Sequence, residues 1–375
     1  MVYLDNGATS QFKPKCVIDA LLFDIAHSAN GGRSAHSESI KKDLIMQQCR
    51  EYLKKVLGAD DGYEVIFTKS CTEALNLVIL GGIENKSGVL TTSNEHNSVL
   101  RPLAKLEKDG KISLDISQSD NFGNLDYKDI DERAIGKKYI VATSASNVTG
   151  AVSDLYEIGK IAKQNNAVFI VDGAQGVPIV DINVKEQNIS ALACPAHKGL
   201  HAIQGVGFLI VKKDMRIEPL IYGGTGQSSN ELLPECIKPE SYEAGTQFSG
   251  GISALYQGAK WSYDNLQSTR NNLIRISKNL KYVLKSIGTT VYTQDVRCGI
   301  VSFNVRDVDS GIIADELNEN GICVRAGLHC APLVHKRLGT QKQGAVRVSI
   351  GVDTTQKDVA IFASAMERIC KKYAP

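Results

Sequence analysis

The chain has 375 residues, of which 43% are hydrophobic and 22% are charged, and its formal net charge is +2. This balance is typical of a globular protein that is long enough for a large core and two domains. Because no long basic run is present, we expect neither nucleic acid nor a membrane surface as a partner.

The nine cysteines are scattered and form no CxxC pair, so a zinc ribbon or a thioredoxin-type dithiol is not expected, and no metal site is predicted. No apolar run approaches the length of a membrane span, and the early Asp5 and Asn6 argue against a signal peptide. We therefore expect a cytoplasmic protein in which most cysteines are small buried hydrophobic residues.

Hydrophobic periodicity predicts alternating strands and helices over the first two thirds of the chain. After a short extended arm, the predicted helices are 14–29, a helix that ends at Gly58, 70–80, 97–109 and one that begins at Asp154. The predicted strands are 63–67, 89–92, 111–116, 139–143, 168–171 and 206–211. Strands that are apolar almost throughout and alternate with helices indicate an α/β fold, with a mostly parallel sheet covered on both faces.

The pattern changes after Gly251, where two helices, 252–266 and 268–286, lead into a smaller unit. That unit is predicted to contain strands 299–305, 322–326 and 345–350 and helices 310–319 and 354–373. We therefore predict an arm over 1–15 that packs with the small domain, a large domain over 16–255, and a small α+β domain over 256–375.

Two residues in the middle of the chain suggest a cofactor. Asp172 ends the apolar run 168–171, where a carboxylate can contact a ligand beyond the strand's carboxyl edge. Lys198 lies among small residues ahead of the apolar run 206–211, where loss of solvation lowers the pKa of an amine and makes it nucleophilic. Pyridoxal 5′-phosphate (PLP) needs both, a lysine for a Schiff base and an acid for its pyridine nitrogen. Singly, each residue also fits a capping aspartate or a surface lysine.

Other polar residues follow the remaining strands. Ser70 and Glu73 form a predicted capping box in TKSCTE, whose free amides and Thr72 hydroxyl are suited to a phosphate. His96 in SNEHNS could stack on a flat ring, and Asn147 in SNVTG could hold a phenolate or a carboxylate. A capped helix without a ligand, a surface histidine and a turn asparagine are the alternatives. Residues at the carboxyl ends of parallel strands nevertheless meet at one edge.

Two glycine-rich segments could contact anions. Thr246 lies in YEAGTQFSGG, which could cap a phosphate either in its own subunit or across a dimer interface. Arg33 lies in the loop NGGRSAHS and could reach an anionic group of a substrate, although a solvated loop arginine is the alternative.

The segment VRAGLHCAP contains a cysteine in a polar context. Cys330 lies near Arg325 on a loop, and a nearby cation favours the reactive thiolate. Further along, the alternation over 345–350 places Arg347 on the face opposite Val346 and Val348. Arg347 could clamp a carboxylate with two hydrogen bonds, or form a surface ion pair instead.

With these motifs in order, essentially the whole chain resembles the fold-type I PLP enzymes of the class V aminotransferase group. It is most similar to the cysteine desulfurases and selenocysteine lyases. The matching segments are YLDNGATS, SCTEALN, NEHNS, SNVTG, VDGAQ, AHKG, YEAGT, RAGLHCA and VRVSIG. RAGLHCA favours the branch of this group that has a compact cysteine loop.

The resemblance implies a role for each matching residue. Lys198 would be the Schiff-base lysine, Asp172 the partner of the pyridine nitrogen, and His96 the ring-stacking residue. Arg347 would bind the substrate carboxylate, and Cys330 would accept sulfur as a persulfide. The remaining cofactor contacts would come from Cys71, Thr72 and His197 near the phosphate, Gln175 and Asn147 near the phenolic oxygen (Asn147 also near the substrate), and Thr246 of a second subunit.

The resemblance also implies the reaction, which is removal of sulfur from L-cysteine to give L-alanine. Selenocysteine lyase activity on L-selenocysteine is one alternative, and a class V aminotransferase, kynureninase or epimerase that does not use Cys330 is another. A non-catalytic α/β binding protein is a more distant alternative. A homodimer and a protein that accepts the sulfur or selenium are expected partners. Departures from the usual pattern are Cys71 in place of Thr or Ser, Pro195-Ala196 in place of Ser-Gly, and Leu328 in place of a frequent His.

Overall fold

The computed structural model describes residues 1–31, 34–226, 230–233 and 235–374. Its strands are β1 Val2–Tyr3, β2 Tyr63–Thr68, β3 Ser87–Thr92, β4 Ile112–Ser117, β5 Tyr139–Thr143, β6 Val168–Asp172, β7 Ala191–Pro195, β8 Gly207–Lys212, β9 Thr290–Val291, β10 Ile300–Asn304, β11 Ile322–Cys323, β12 Arg325–Gly327 and β13 Ala345–Ser349. Its α-helices are α1 Lys15–Ala26, α2 Ser37–Val56, α3 Cys71–Gly82, α4 Asn97–Lys108, α5 Tyr127–Ala134, α6 Leu155–Gln164, α7 Ser249–Asp264, α8 Leu266–Ser286, α9 Ser310–Glu319, α10 Pro332–Leu338 and α11 Gln356–Lys372.

A seven-stranded sheet in the order β2-β8-β7-β6-β5-β3-β4 organises the first part of the chain. Only β8 is antiparallel to its neighbours within this sheet, so the prediction of a mostly parallel sheet is confirmed. One apolar cluster covers each face of the sheet, which explains why the strands are apolar almost throughout. No helix in the described part of the chain is long and apolar enough to cross a membrane.

Several predicted elements differ from the observed ones. Strand β7, with the sequence ALACP, was not predicted, because alanine and proline are uncommon in strands. Helices α5 and α10 are also absent from the prediction, and α1 ends at Ala26 rather than near residue 29. The predicted strand 322–326 is wrong, since the chain leaves one sheet at Val324 and enters another.

The C-terminal unit has its own sheet, in the order β12-β13-β10-β9, and its own apolar cluster. Strand β1 of the N-terminal arm pairs with β11, and Asp5 bridges to Ser349 at the end of β13. Helix α7 crosses residue 255 but adds Ile252, Leu255 and Ala259 to a cluster of the large sheet. We therefore propose that the domain boundary lies near Asn265, between α7 and α8, and the division itself stays a prediction.

Candidate active site

A cleft opens at the carboxyl edge of the large sheet, where several chain segments meet after leaving β3, β5, β6 and β7. Eight of the residues singled out in the sequence line this one cleft, namely Cys71, Thr72, His96, Asn147, Asp172, Gln175, His197 and Lys198. They come from parts of the chain more than a hundred residues apart. The strand ends of the sheet therefore bring together a carboxylate, an amine, two imidazoles and two amides.

Asp172 forms the floor of the cleft at the end of β6. Its side chain is buried, and Oδ1 accepts a hydrogen bond from the Ala174 amide at 2.9 Å. The Cys71 thiol donates to the same oxygen at 3.6 Å. Burial and the Asp172 charge both raise the pKa of Cys71, so this thiol stays protonated and acts as a donor.

Lys198 also lines the cleft and follows β7. Burial lowers the pKa of its amine, the nearby charges of Arg347 and Arg325 lower it further, and Asp172 opposes the shift. The chain is tightly packed here, because a Cβ on Gly199 would collide with the Val177 carbonyl oxygen. The result is a lysine that releases its proton more readily than a solvated one.

The N-terminus of α3 points into the cleft and is suited to an anion. The Ser70 hydroxyl accepts from the Glu73 amide at 3.1 Å, as the capping motif predicts. The Glu73 carboxylate, however, accepts from the Lys69 amide at 2.7 Å rather than from Ser70, so the predicted reciprocal capping box is wrong. Gly207 packs against this turn, where a Cβ would lie 2.6 Å from the Ser70 carbonyl carbon. The first-turn amides of α3 remain available for a phosphate.

His96 caps helix α4 and connects the cleft to the cysteine loop. Its Nδ1 accepts from the Ser98 amide at 3.0 Å. Burial is the main cause that lowers its pKa, so the ring is neutral near pH 7. The next amide, that of Asn97, donates to the Cys330 carbonyl at 2.7 Å. The His96 ring lines the cleft, and the amide of the next residue binds the cysteine loop. Neighbouring residues thus connect the cleft with that loop.

The sequence reasoning missed Glu95, the residue immediately before His96. Its side chain is fully buried, and Oε1 accepts from the Thr92 hydroxyl at 2.7 Å and from the Thr143 amide at 2.9 Å. Together these two bonds connect Thr92 at the end of β3 with Thr143 at the end of β5. Burial, with a smaller contribution from the charge of Asp172, raises the pKa of Glu95 to about 8. The sequence does not indicate that this glutamate is buried, because its neighbours in the NEHNS segment are polar.

Two amides and one imidazole in the cleft wall leave atoms unpaired. The Asn147 Oδ1, His197 Nδ1 and Asn94 Oδ1 atoms are buried without a hydrogen-bond partner among the described residues. Gln175 donates to the Gly7 carbonyl at 3.0 Å. Buried polar groups are rarely left unpaired unless a ligand or water completes them. Together with the carboxylate, the amine and the helix terminus, these atoms fit PLP.

The cysteine loop lies between β12 and α10. His329 and Cys330 both have positive φ angles, 49° and 58°, which are uncommon for residues other than glycine. The Asn147 amide donates to the His329 carbonyl at 2.7 Å, and the buried His329 Nε2 lies 3.0 Å from the Ala345 carbonyl oxygen. The Arg325 guanidinium lies 3.8 Å from the Cys330 sulfur, at the limit of a hydrogen bond to sulfur. Cys330 is thus held beside the cleft, next to a cation.

Arg347 is completely enclosed, with 1% of its surface exposed. Its two Nη atoms donate to Asp5 Oδ1 at 2.8 Å and to the Asn147 carbonyl at 3.2 Å, while Nε is unpaired among the described residues. Arg347 is therefore behind the cleft wall and does not line it, although its charge acts on Lys198.

Two predicted contacts are not among the described residues that line this cleft, for different reasons. Thr246 is exposed and is not among the described residues that line it. Arg33, the other predicted substrate contact, lies outside the described residues.

The chain is similar to known proteins over nearly its full length. The family model described as "Aminotransferase class-V" matches residues 2–362. A probable cysteine desulfurase of Pyrococcus abyssi is 34% identical, with 99% of this chain and 94% of the relative covered. Another, of Methanothermobacter thermautotrophicus, is 31% identical, with 98% and 94% covered. The solved apo structure of a cysteine desulfurase from Thermococcus onnurineus is 31% identical, with a TM-score of 0.90 and 99% and 95% covered.

Proposed function

The chain belongs to the class V aminotransferase family, and we propose that it is a PLP-dependent cysteine desulfurase that carries sulfur as a persulfide on Cys330. Its overall reaction converts L-cysteine to L-alanine and transfers the sulfur atom to the enzyme. The observation that supports this best is the position of Cys330. Its carbonyl is bonded at 2.7 Å to the residue after His96, and its sulfur faces the Arg325 guanidinium.

Each feature of the cleft matches a part of PLP. Lys198 would bind it covalently, Asp172 would pair with the ring nitrogen, and His96 would lie over the ring. The amides of Cys71 and Thr72 would hold the phosphate at the α3 N-terminus. Asn147 and Gln175 would contact the phenolic oxygen, and His197 would contact the phosphate. When bound, PLP supplies an electron sink for bond breaking at an amino acid's carbon atoms.

Lys198 is the group that we assign to proton transfer at the substrate Cα. Burial lowers the pKa of its amine, so a larger fraction is neutral and able to accept a proton near pH 7. His96 has a lowered pKa and stays neutral, so it does not compete as a cation for the carboxylate of Asp172.

Arg347 is the group that we assign to the substrate carboxylate. Nε is unpaired among the described residues, while one Nη is already bonded to Asp5. Because Arg347 is enclosed and does not line the cleft, a substrate carboxylate would reach this atom only if Asp5 moved aside and gave up its bond. A bidentate bond of this kind fixes orientation as well as position.

Cys330 is the nucleophile for sulfur. The Arg325 guanidinium lies 3.8 Å from its sulfur and would face the sulfur during the attack. The thiolate attacks the substrate sulfur, a sulfur–sulfur bond forms, and the carbon–sulfur bond breaks with its electrons on carbon. Protonation of that carbon gives alanine, and the extra sulfur remains on Cys330.

We further propose a homodimer, because one surface is unusually apolar. Helix α1 exposes Leu22, Phe23 and Ile25 by 59 to 61%, and Leu44 of α2 is 56% exposed. Phe248, next to α7 and two residues after Thr246, is 50% exposed. Apolar patches of this kind mark interfaces in soluble proteins. A second copy seated here would cover the patch and could bring its Thr246 to the neighbouring cleft.

The dimer proposal is tested by subunit complementation. Lys198→Ala and Thr246→Ala are each expected to reduce alanine formation as pure proteins. If Thr246 serves the other subunit, a mixture refolded or co-expressed together regains activity, because one site per heterodimer has both residues intact. A mixture no more active than the average of its parents contradicts the arrangement. Leu22→Glu with Phe23→Glu should shift the mass in light scattering from dimer to monomer.

The function is tested by detecting the persulfide directly. Purified protein with PLP is mixed with L-cysteine, and the peptide containing Cys330 is analysed by mass spectrometry after alkylation. The expected result is one added sulfur on Cys330 and stoichiometric alanine. Cys330→Ser should form neither the persulfide nor sulfide, and unchanged turnover in this variant refutes the assignment. A parallel assay with L-selenocysteine measures whether selenium is the preferred substrate.

A further inference from the structure

Cys330 lies beside the cleft and lines a second cavity, which the mechanism above does not use. The second, which we call the outer groove, has a volume of about 380 Å³ and is lined by Thr72, Asn76 and Leu80 of α3, Arg101, Pro102 and Lys105 of α4, and Cys330 itself. The outer groove and the cleft share Thr72 of α3 and His96 and Ser98 at the start of α4, so the two spaces adjoin. The cysteine that receives sulfur in the cleft thus also faces a separate space toward solvent.

The outer groove is positively charged. Arg101 is exposed and forms no ion pair within the described part of the chain. Lys105 is paired with Asp109 at 2.6 Å, so its charge is partly compensated. None of the described residues that line the outer groove is acidic. Arg325 adds a third cation beside the Cys330 sulfur.

Resting on the proposed function, we propose that the outer groove binds the sulfur acceptor, a small thiol that bears a carboxylate, with Arg101 as the main partner of that carboxylate. The volume is within the range of small-molecule pockets. Arg101 is exposed and can pair with an anion in the groove, and Cys330, which would carry the transferable sulfur, lines the same groove. None of the residues assigned above to the apolar dimer surface lines this groove.

The transfer step balances without a further reagent. The acceptor thiolate attacks the outer sulfur of the Cys330 persulfide, and a new sulfur–sulfur bond forms on the acceptor. The bond between the Cys330 sulfur and the outer sulfur breaks, and Cys330 leaves as a thiolate beside Arg325. The acceptor carries the persulfide away, and the enzyme returns to its starting state.

The test measures persulfide discharge with a matched pair of thiols, mercaptoacetate and its neutral amide. Protein loaded with one equivalent of cysteine is freed of excess substrate, and loss of the added sulfur is followed by intact mass. The rate ratio of acid to amide in wild type is compared with the ratio in each variant, so that intrinsic thiol reactivity and the efficiency of loading cancel.

Arg101→Ala should lower this ratio about two- to fivefold, the size expected for one exposed charge pair. Lys105→Ala should lower it less because of Asp109, and Arg101→Lys should restore most of it. Lys108→Ala, on the same helix but outside the outer groove, is the matched control and should leave the ratio unchanged. An equal ratio in wild type and Arg101→Ala overturns the proposal. It is also overturned if neither small thiol discharges the persulfide and only a protein thiol does.

A second measurement separates this proposal from the proposed function. Alkylation of Cys330 by iodoacetate and by iodoacetamide needs no persulfide and reads the same charge preference. If cysteine loads no sulfur but the alkylation ratio still falls in Arg101→Ala, the desulfurase assignment fails and the anion preference of the outer groove stands. If loading is normal and neither ratio depends on Arg101, the groove proposal fails alone.

Discussion

Replacing Glu95 with glutamine should change how stability depends on pH. Glu95 is fully buried, and burial raises its pKa from 4.5 to about 8. The folded protein therefore keeps a proton that the unfolded chain releases, and stability is lost as the pH rises from about 4.5 to about 8. Above the folded pKa the loss is complete. Glutamine keeps the acceptor for Thr92 and Thr143 but has no proton to lose, so Glu95→Gln should not show this decline.

The size of the effect follows from the shift. The difference between 4.5 and about 8 corresponds to about 5 kcal/mol at most. An unfolding entropy near 2.1 cal/mol/K per residue gives roughly 0.8 kcal/mol/K for this length. Between low and high pH, the melting temperature of Glu95→Gln should therefore rise by about 6 °C relative to that of the wild type.

The assay is a series of circular-dichroism melts of PLP-saturated protein between pH 5 and 9. The melting temperature of Glu95→Gln minus that of wild type should increase steadily up to about pH 8 and then level off. Glu132→Gln, at an exposed position of α5, is the control and should give a constant difference. A constant difference for Glu95→Gln as well would show that Glu95 is already ionised at pH 5, and the reasoning from burial would be refuted.

Two other variants test parts of the site, and a third tests a buried ion pair outside it, Arg50 with Glu243. Arg347→Lys should raise the KM for cysteine and lower kcat/KM in an alanine assay by about 10- to 100-fold, because lysine cannot form the bidentate bond; an unchanged KM contradicts the carboxylate role. Cys71→Ala should weaken PLP binding less than about threefold in an absorbance titration, because helix amides rather than the thiol hold the phosphate; a loss above tenfold argues otherwise. Glu243→Ala leaves the buried Arg50 without its two bonds of 2.7 and 2.9 Å and should destabilise the protein by about 3–5 kcal/mol in denaturant titrations. An Arg50→Met, Glu243→Leu double variant that is no more stable than Glu243→Ala contradicts this explanation.

The cofactor half of the site could be predicted from the sequence because of one geometric rule. Parallel strands end at the same edge, so polar residues that follow β3, β5 and β6 must come together. His96, Asn147 and Asp172 are placed by that rule alone, without knowledge of strand order. Lys198 was singled out by its small neighbours and the apolar run 206–211 that follows, because β7, the strand that precedes it, has the unusual sequence ALACP and gave no clear signal.

The substrate half could not be predicted from local pattern, because its contacts join distant parts of the chain. Arg347 is on the predicted face of β13, yet its ion-pair partner is Asp5 of the arm, 342 positions away. The Asn147 amide bonds the His329 carbonyl across 182 positions. Nothing in a run of residues indicates such pairs. The burial of Glu95 was missed for the same reason, since it depends on strands that pack around the loop.

The charges at the substrate end explain why an amino-acid carboxylate belongs there. Arg325 and Arg347 face each other in the register of β12 and β13, and the charges of both lower the pKa of Lys198. Asp5 pairs with Arg347, but within the described residues Arg325 has no ion pair and approaches only the Cys330 sulfur. Two cations therefore share one carboxylate, so one positive charge is left without a partner among the described residues. A substrate carboxylate bound at Arg347, as proposed above, would supply that anion and would leave Arg325 to face the Cys330 sulfur.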